Sequence, residues 1–475
     1  MNRKISILHI SDIHKAQEMK LDNLFNSLVR DKERWEEEGI RQPDFIVLSG
    51  DVIQGGPTED IIAEQYNEAE KFLEAMCKEF LGGKRERMII VPGNHDVSWP
   101  FSQECMVDEQ LTDETIKLYR QHKHPLRWDW NTAAGPGIKK IRSQEEYTHR
   151  FDRFVEFYNR FFDNIRVYPE EPERQAYCVA FEPEGICFAC FNSCHQNDHL
   201  NDAGEIYKDA IYSIEGELRK CYSRGMLPIG VWHHNAYGDP YQTDYMSKNV
   251  LDKLLEHRIK IGLFGHQHKS QVAEEYSDLL ISEESRKRLL LISSGTLFGC
   301  DTEQHKAIRR QFNLIELEMG NGEAEVKVSV REDGNNDISS DDPYWKAKKL
   351  PDGAIRYKVG FKHISDDEVV RRIDDETRRS GDFAAGVTAL RQSGLAAESV
   401  GPLVGEYLKM VDAKTLFRIL PEPEDGNQCF LLIGAIDKEH DKQAFERLKN
   451  SRVLQEEMSK DKMLQGMFAG LSEKF

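Results

Sequence analysis

Five short stretches of this chain place chemically capable side chains at the end of an apolar run. Asp12-Ile-His14 follows Ile5-Ser-Ile-Leu-His-Ile-Ser, and Gly50-Asp51 follows Phe45-Ile-Val-Leu-Ser. Gly93-Asn94-His95-Asp96 follows Met88-Ile-Ile-Val-Pro, His233-His234 follows Leu227-Pro-Ile-Gly-Val-Trp, and Gly265-His266-Gln-His268 follows Ile261-Gly-Leu-Phe. Carboxylate, imidazole and amide donors without thiolates suit hard or borderline divalent cations, and imidazoles also move protons near neutral pH. A single Gly-Asn-His-Asp is also what an ordinary polar turn looks like; five such tips in one chain call for a common purpose.

Each apolar run is short and stopped by Gly, Asp or His, the pattern of a buried strand that delivers a polar tip. In an open α/β sheet the ligand crevice lies beyond the carboxyl ends of the strands, so five such tips meet at one site. The connecting segments agree. A helix over roughly residues 18–38, with Leu21, Leu24, Phe25, Leu28 and Trp35 near helical spacing, and a second from beyond Gly55-Gly56-Pro57 to about Leu81 supply the crossovers of a mostly parallel sheet.

With these residues in this order, the chain resembles the calcineurin-like metallophosphoesterases over about residues 4–300. The resemblance implies an α/β fold: a β-sandwich flanked by helices in four layers (α/β/β/α), here with a cap insertion and a mostly helical C-terminal domain. It also implies two divalent metal ions. Asp12, His14 and His268 would bind the first, Asn94, His233 and His266 the second, and Asp51 would bridge both. His233 is taken over His234 because the first His of the family's pair is the usual ligand; His234 would then stand behind it as a structural partner. Mn2+ is the first expectation for the metal, with Fe, Zn, Co and Mg as alternatives. Hydrolysis of a phosphate ester puts negative charge on the attacking oxygen, the phosphoryl oxygens and the leaving group, and two cations about 3.5–4 Å apart hold all three.

By the same resemblance His95 would face the scissile phosphate, stabilising the transition state or protonating the leaving oxygen. A histidine beside two cations is disfavoured in its charged form, so it needs a carboxylate or a phosphate nearby to act as an acid. Asp96 is either that partner or a turn carboxylate opening the next segment.

Asp51 is followed by Val-Ile-Gln-Gly-Gly and His95 by Asp, which departs from the Asp-Arg-Gly and Glu of the Ser/Thr protein phosphatases. The pattern is closer to bacterial phosphodiesterases and to the nuclease subunits of double-strand-break repair complexes, so the expected substrate is a phosphodiester in a nucleotide or nucleic acid. The alternatives are a nuclease subunit acting with a partner ATPase, a phosphomonoesterase, and a non-catalytic binding scaffold. A scaffold has no reason to keep a costly cluster of acids and imidazoles. The formal charge of −19, from 83 acidic against 64 basic residues, argues against holding nucleic acid by phosphate contacts alone. It leaves a nuclease open, because two cations make the crevice locally positive.

A length of 475 residues, 39% of them hydrophobic, predicts two domains. The catalytic domain is expected to span 1–331, with 97–173 as a cap insertion beside the site. Residues 332–350 have the composition of a linker, and 351–475 read as a mostly helical domain serving oligomerisation, partner docking or stabilisation. Ser365-Asp-Asp-Glu368 reads as a capping box. Within the insertion, Tyr147, Phe151, Phe154, Val155 and Tyr158 have the spacing of a helix's core face, whereas Trp128 and Trp130 are candidates for touching substrate. His195 and His199 read as solvated loop residues or, alternatively, ligands of a third metal; Tyr237, Asp239 and Tyr241 are expected at the crevice mouth. Cys187 and Cys190, three apart on a strand, face opposite ways and cannot share a metal, so the nine cysteines read as reduced thiols. No stretch has the length of a secretory core or a membrane span, and the expected location is the cytoplasm.

Overall fold

In the computed structural model, which describes residues 3–16, 20–120, 125–130, 135–238, 244–276, 288–297, 309–320, 322–336, 340–350, 353–361, 366–393, 395 and 397–475, the five apolar runs are strands of two sheets. The strands are β1 (Arg3–Ile10), β2 (Phe45–Ser49), β3 (Met88–Val91), β4 (Met106–Glu109), β5 (Leu126–Asp129), β6 (Gly137–Ile141), β7 (Ala176–Phe181), β8 (Ile186–Phe191), β9 (Leu227–Val231), β10 (Ile261–Phe264), β11 (Gln271–Tyr276), β12 (Arg288–Ser293), β13 (Gln311–Gly320), β14 (Glu323–Asp333), β15 (Trp345–Ala347) and β16 (Ile355–Gly360). The first sheet runs β15-β14-β13-β1-β2-β3, with β16 also on β14; the second runs β11-β12-β10-β9-β8-β7. β1, β2 and β3 are parallel, as are β8, β9, β10 and β12. The polar tips therefore leave each sheet from one edge.

β1, β2 and β3 are buried on both faces, which is why they read as unbroken apolar runs rather than as alternating ones. Ile5, Ile7, Val47 and Ile89 meet Phe188, Ile229, Leu263 and Ile292 of the second sheet in the sandwich core. Their neighbours Leu8, Ile46, Leu48 and Ile90 face the helices α1 (Leu21–Lys32) and α2 (Glu59–Leu81). Truncating one of these buried side chains, as in Leu263→Ala, costs about 2–5 kcal/mol. α2 starts where the Thr58 hydroxyl accepts from Ile61 N and stops at Gly82 in the left-handed region. α1 is shorter than the expected 18–38: residues 17–19 lie outside the description, and beyond Lys32 the chain turns, although Trp35 stays buried with its Nε1 on Asp31 Oδ2 at 2.8 Å.

The expected cap, 97–173, divides in two. β4, β6 and β5 form a small antiparallel sheet, but the helix Asp152–Phe162 belongs to the helical layer, with Phe157 stacked on Tyr66 of α2 at 5.0 Å. Tyr147, Phe151, Phe154, Val155 and Tyr158 are all buried, as their spacing predicted. Cys190 faces the sandwich core while Cys187 faces Cys221 and Met226, as strand alternation required.

The boundary expected at 331 is corrected. β15 lies inside the expected linker and β16 in the expected helical domain, yet both pair with β14 and complete the first sheet. The chain divides instead into one unit of Met1–Cys221 with Gly225–Lys362 and a second of Tyr222–Arg224 with His363–Phe475. Ser365 of the expected capping box lies outside the described residues. The second unit is helical, as expected, around a core that includes Tyr407, Leu432, Ile436, Phe445 and Leu464. Asp382, Asp412, Asp425, Asp441 and Asp461 each cap one of its helices. Among the described residues no helix is long and apolar enough to cross a membrane.

Candidate active site

The turns after the strands are laced together before any side chain is considered. Asp12 N donates to Gly50 O and His14 N to Asp51 O (3.1 Å each), joining the tips of β1 and β2; Gly265 N donates to His233 O (3.0 Å), joining β10 to β9. Five of the nine non-glycine residues with positive φ among those described are Asp12, His14, Asp51, His266 and His268. Asp and His tolerate that region better than most residues, but each still costs of order 1 kcal/mol. Strained backbone gathered at the tips of three strands, β1, β2 and β10, is the mark of a site that the surrounding sheets over-determine.

Glycine is required where the tips close on one another. A Cβ on Gly93 would clash with Asp51 Oδ1, one on Gly265 with Ser11 Oγ and Asp12 Oδ2, and Gly50, at φ 94°, lies against the His233 ring. Each carboxylate is then aimed by a backbone amide: His266 N donates to Asp12 (3.1 Å to Oδ2) and His95 N to Asp51 Oδ1 (3.0 Å). Asp51 Oδ2 is left pointing at the imidazoles.

Two groups of donor atoms result. In one, Asp12 Oδ1 lies 3.6 Å from His14 Nε2 and 3.4 Å from His268 Nε2, and the two imidazole nitrogens are 3.0 Å apart. In the other, His233 Nε2 lies 2.9 Å from Asn94 Oδ1 and 3.2 Å from His266 Nδ1, with Asn94 Oδ1 3.0 Å from His266 Nδ1. Asp51 Oδ2 touches both, 3.6 Å from His14 Nε2 and 3.2 Å from His233 Nε2. With cation–ligand distances near 2.0–2.2 Å, ligand atoms around one ion are about 3.0–3.5 Å apart, so both groups have the dimensions of a coordination shell.

The electrostatics fit a cation as well. Burial works against the charged forms of Asp12 and Asp51, yet the surrounding imidazoles hold both well below the usual carboxylate range. Burial also favours neutral His233, but Asp51 raises it to about 9. A buried carboxylate that draws a proton onto His233 would attract a divalent ion more strongly still. His233 Nδ1 is bonded to Ser49 O at 2.8 Å; since a carbonyl only accepts, Nδ1 keeps a proton, and Nε2, beside Asp51 and Asn94, is the nitrogen that would exchange its proton for an ion, as metal-binding imidazoles do.

All seven residues expected as ligands are therefore brought together, and of the His pair it is His233 that joins them. His234 stands behind, its Nδ1 2.9 Å from Ser193 Oγ, a hydroxyl that also accepts the amides of His233 and His234 (3.1 Å each). Burial, His266 and His233 together keep His234 neutral. His95 stands at the same cluster, grouped with His14 and Asp51. Its Nδ1 is 2.9 Å from Gln54 O, so that nitrogen holds the proton and Nε2 is the one able to exchange it.

Asp96 is a correction. It is buried, and its carboxylate accepts from Gly93 N (2.8 Å), Val52 N (3.2 Å), Ile53 N (3.4 Å) and the Tyr66 hydroxyl (3.0 Å). Those bonds clasp the turns after β2 and β3, which is the turn role rather than partnership with His95. Trp128 and Trp130 pack on each other (5.4 Å) and Trp128 on Tyr119 (5.6 Å), while the ring beside His95 is that of Trp99, at 5.9 Å. His195 packs against Tyr207 at 4.6 Å, and the three-ligand groups found among the described residues do not include it or His199. Tyr237 is half exposed; Asp239 and Tyr241 lie outside the described residues.

Sequence reading missed Ser49, Ser193 and Asp244, the last 3.7 Å from His266 Nε2. Only Ser49 carried a signal, as the residue before Gly50-Asp51.

Comparison with known proteins gives three findings. The sequence profile of the family described as calcineurin-like phosphoesterase matches residues 5–270. A Bacillus subtilis (strain 168) protein described as an uncharacterized metallophosphoesterase-like protein, YydB, is 22% identical over 395 residues, 79% of this chain and 70% of that protein. A solved structure of a dimetal phosphatase from Danio rerio aligns with 10% identity and a TM-score of 0.33, over 75% of this chain and 99% of that one.

Proposed function

The chain belongs to the calcineurin-like phosphoesterase family, whose members are metal-dependent phosphohydrolases, and from that premise we propose that it hydrolyses a phosphodiester, in a nucleotide or a nucleic acid, at a centre of two divalent ions. Asp12, His14 and His268 would hold one ion, Asn94, His233 and His266 the other, and Asp51 would be shared. The observation that carries this reading is Asp51 Oδ2, within 3.6 Å of His14 Nε2 and 3.2 Å of His233 Nε2. The metal is Mn2+ in the first instance. When bound, two such ions supply positive charge for the phosphoryl oxygens and lower the pKa of a coordinated water toward neutrality.

The chain's own residues do the rest. Asp51 is aimed by the His95 amide, and Asp12 by the His266 amide, so neither carboxylate reorganises as charge builds up in the reaction. His95, held at Nδ1 by the Gln54 carbonyl, offers Nε2 to the phosphate or leaving oxygen. A phosphodiester is favoured over a phosphoprotein because Gln54-Gly55-Gly56 and Asp96 stand where the protein phosphatases differ.

The test is hydrolysis of a nitrophenyl phosphodiester and monoester beside single- and double-stranded DNA and RNA, with Mn2+ added, for wild type and Asp51→Ala. Diester cleavage lost in the variant supports the reading. Cleavage of the monoester alone would replace it with a phosphomonoesterase, and inactivity toward every substrate would favour a scaffold.

A further inference from the structure

Trp99 is an aromatic residue beside the chemistry that the reading above leaves without a task. Its ring centroid lies 5.9 Å from that of His95 with the planes 32° apart, and the residue is 43% exposed. An indole is worth burying, so one left open beside a catalytic ring is either unused or has a partner that arrives from solution.

The backbone under Trp99 is fixed by a dense set of bonds. Ser98, almost fully buried, accepts from Phe101 N at 3.2 Å to cap the helix Trp99–Glu104, and its own N–H donates to Arg150 O at 2.9 Å. Its hydroxyl donates to Glu59, and Ser102 Oγ donates to Ser98 O at 2.6 Å. His95 is likewise held, at Nδ1 by Gln54 O. The backbone that carries the indole is thus fixed beside the ring whose Nε2 is offered to the leaving oxygen.

We propose that Trp99 determines specificity by stacking on a planar group carried on the ester oxygen next to His95, which makes a nucleoside, rather than an alkyl or simple sugar alcohol, the group released. This rests on the phosphodiester reading. The scissile bond is chemically the same with or without a base, so the base's contribution is separable: stacking of one base on an aromatic side chain corresponds to about 10- to 100-fold in kcat/KM.

The experiment measures kcat/KM of the full-length protein with Mn2+ on a dinucleoside monophosphate and on its analogue lacking the base on the leaving side, for wild type, Trp99→Phe and Trp99→Ala. Wild type should prefer the base-bearing diester about 10- to 100-fold. Trp99→Ala should erase that preference by slowing only the base-bearing substrate, and Trp99→Phe should keep part of it. Equal loss on both substrates would make Trp99 a prop for His95 and overturn the proposal, as would no loss on either. If wild type cleaves neither diester, the phosphodiester reading itself fails; if it cleaves both alike, only the stacking inference does.

Discussion

At the scale of single residues, the division of labour among neighbours in Asn94-His95-Asp96 is the sharpest result. The three are adjacent in sequence, yet one faces the ligand cluster, one stands over it and one is buried beneath. His95→Ala should leave metal content and stability unchanged and slow turnover about 10²- to 10⁴-fold, read from metal counting beside steady-state rates. Asp96→Ala should act first on stability, by about 2–4 kcal/mol in urea unfolding, because four donors lose a buried carboxylate. Sequence alone could not separate these roles, since three of the four donors to Asp96 come from Val52, Ile53 and Tyr66, thirty to forty-four positions away. His9 gives a pH prediction of its own. Burial lowers it from 6.5 to about 3, against the pull of Asp12. The unfolded chain takes up a proton below pH 6.5 that the folded chain refuses until about 3, so this stability is complete above 6.5 and falls by about 1.4 kcal/mol per unit as the pH drops toward 3. His9→Gln should flatten that slope, compared by urea unfolding at about pH 7 and pH 5.

At the scale of elements, the site is a property of where strands stop. β1, β2, β3, β9 and β10 were legible because strands buried on both faces read as continuous apolar runs, and a Gly, Asp or His ends each abruptly. β15 was not: it is three residues long and gains its place from pairing with β14, the same pairing that puts β16 in the first sheet. The glycines at the strand ends carry a matching prediction. Gly93→Ala drives a methyl group into Asp51 and should lower Mn2+ binding and activity together, while far-ultraviolet circular dichroism stays that of the wild type. Wild-type metal binding in that variant would show that the turns adapt more easily than their bonds suggest.

For the molecule as a whole, the first unit closes with β16 rather than with the charged stretch after β14. A chain ending at residue 361 keeps every strand of the first sheet, whereas one ending at 331 leaves the β14 edge without β15 and β16. The shorter chain should aggregate and melt at lower temperature, the longer one should not, as calorimetry and light scattering would report; unpaired sheet edges are the expected cause. The division into two units was anticipated from length, but its position was misplaced because Glu332-Asp-Gly-Asn-Asn-Asp337 has the composition of a linker while the strands on either side of it are one sheet.

The claim on which the rest depends is that one carboxylate oxygen serves two ions. Titration of metal-free protein with Mn2+, counting ions bound per chain while diester hydrolysis is followed in the same samples, tests it directly. The account predicts two ions in the wild type with activity appearing as the second binds, and fewer than two with no hydrolysis in Asp51→Ala. Two ions and undiminished hydrolysis in that variant would contradict it.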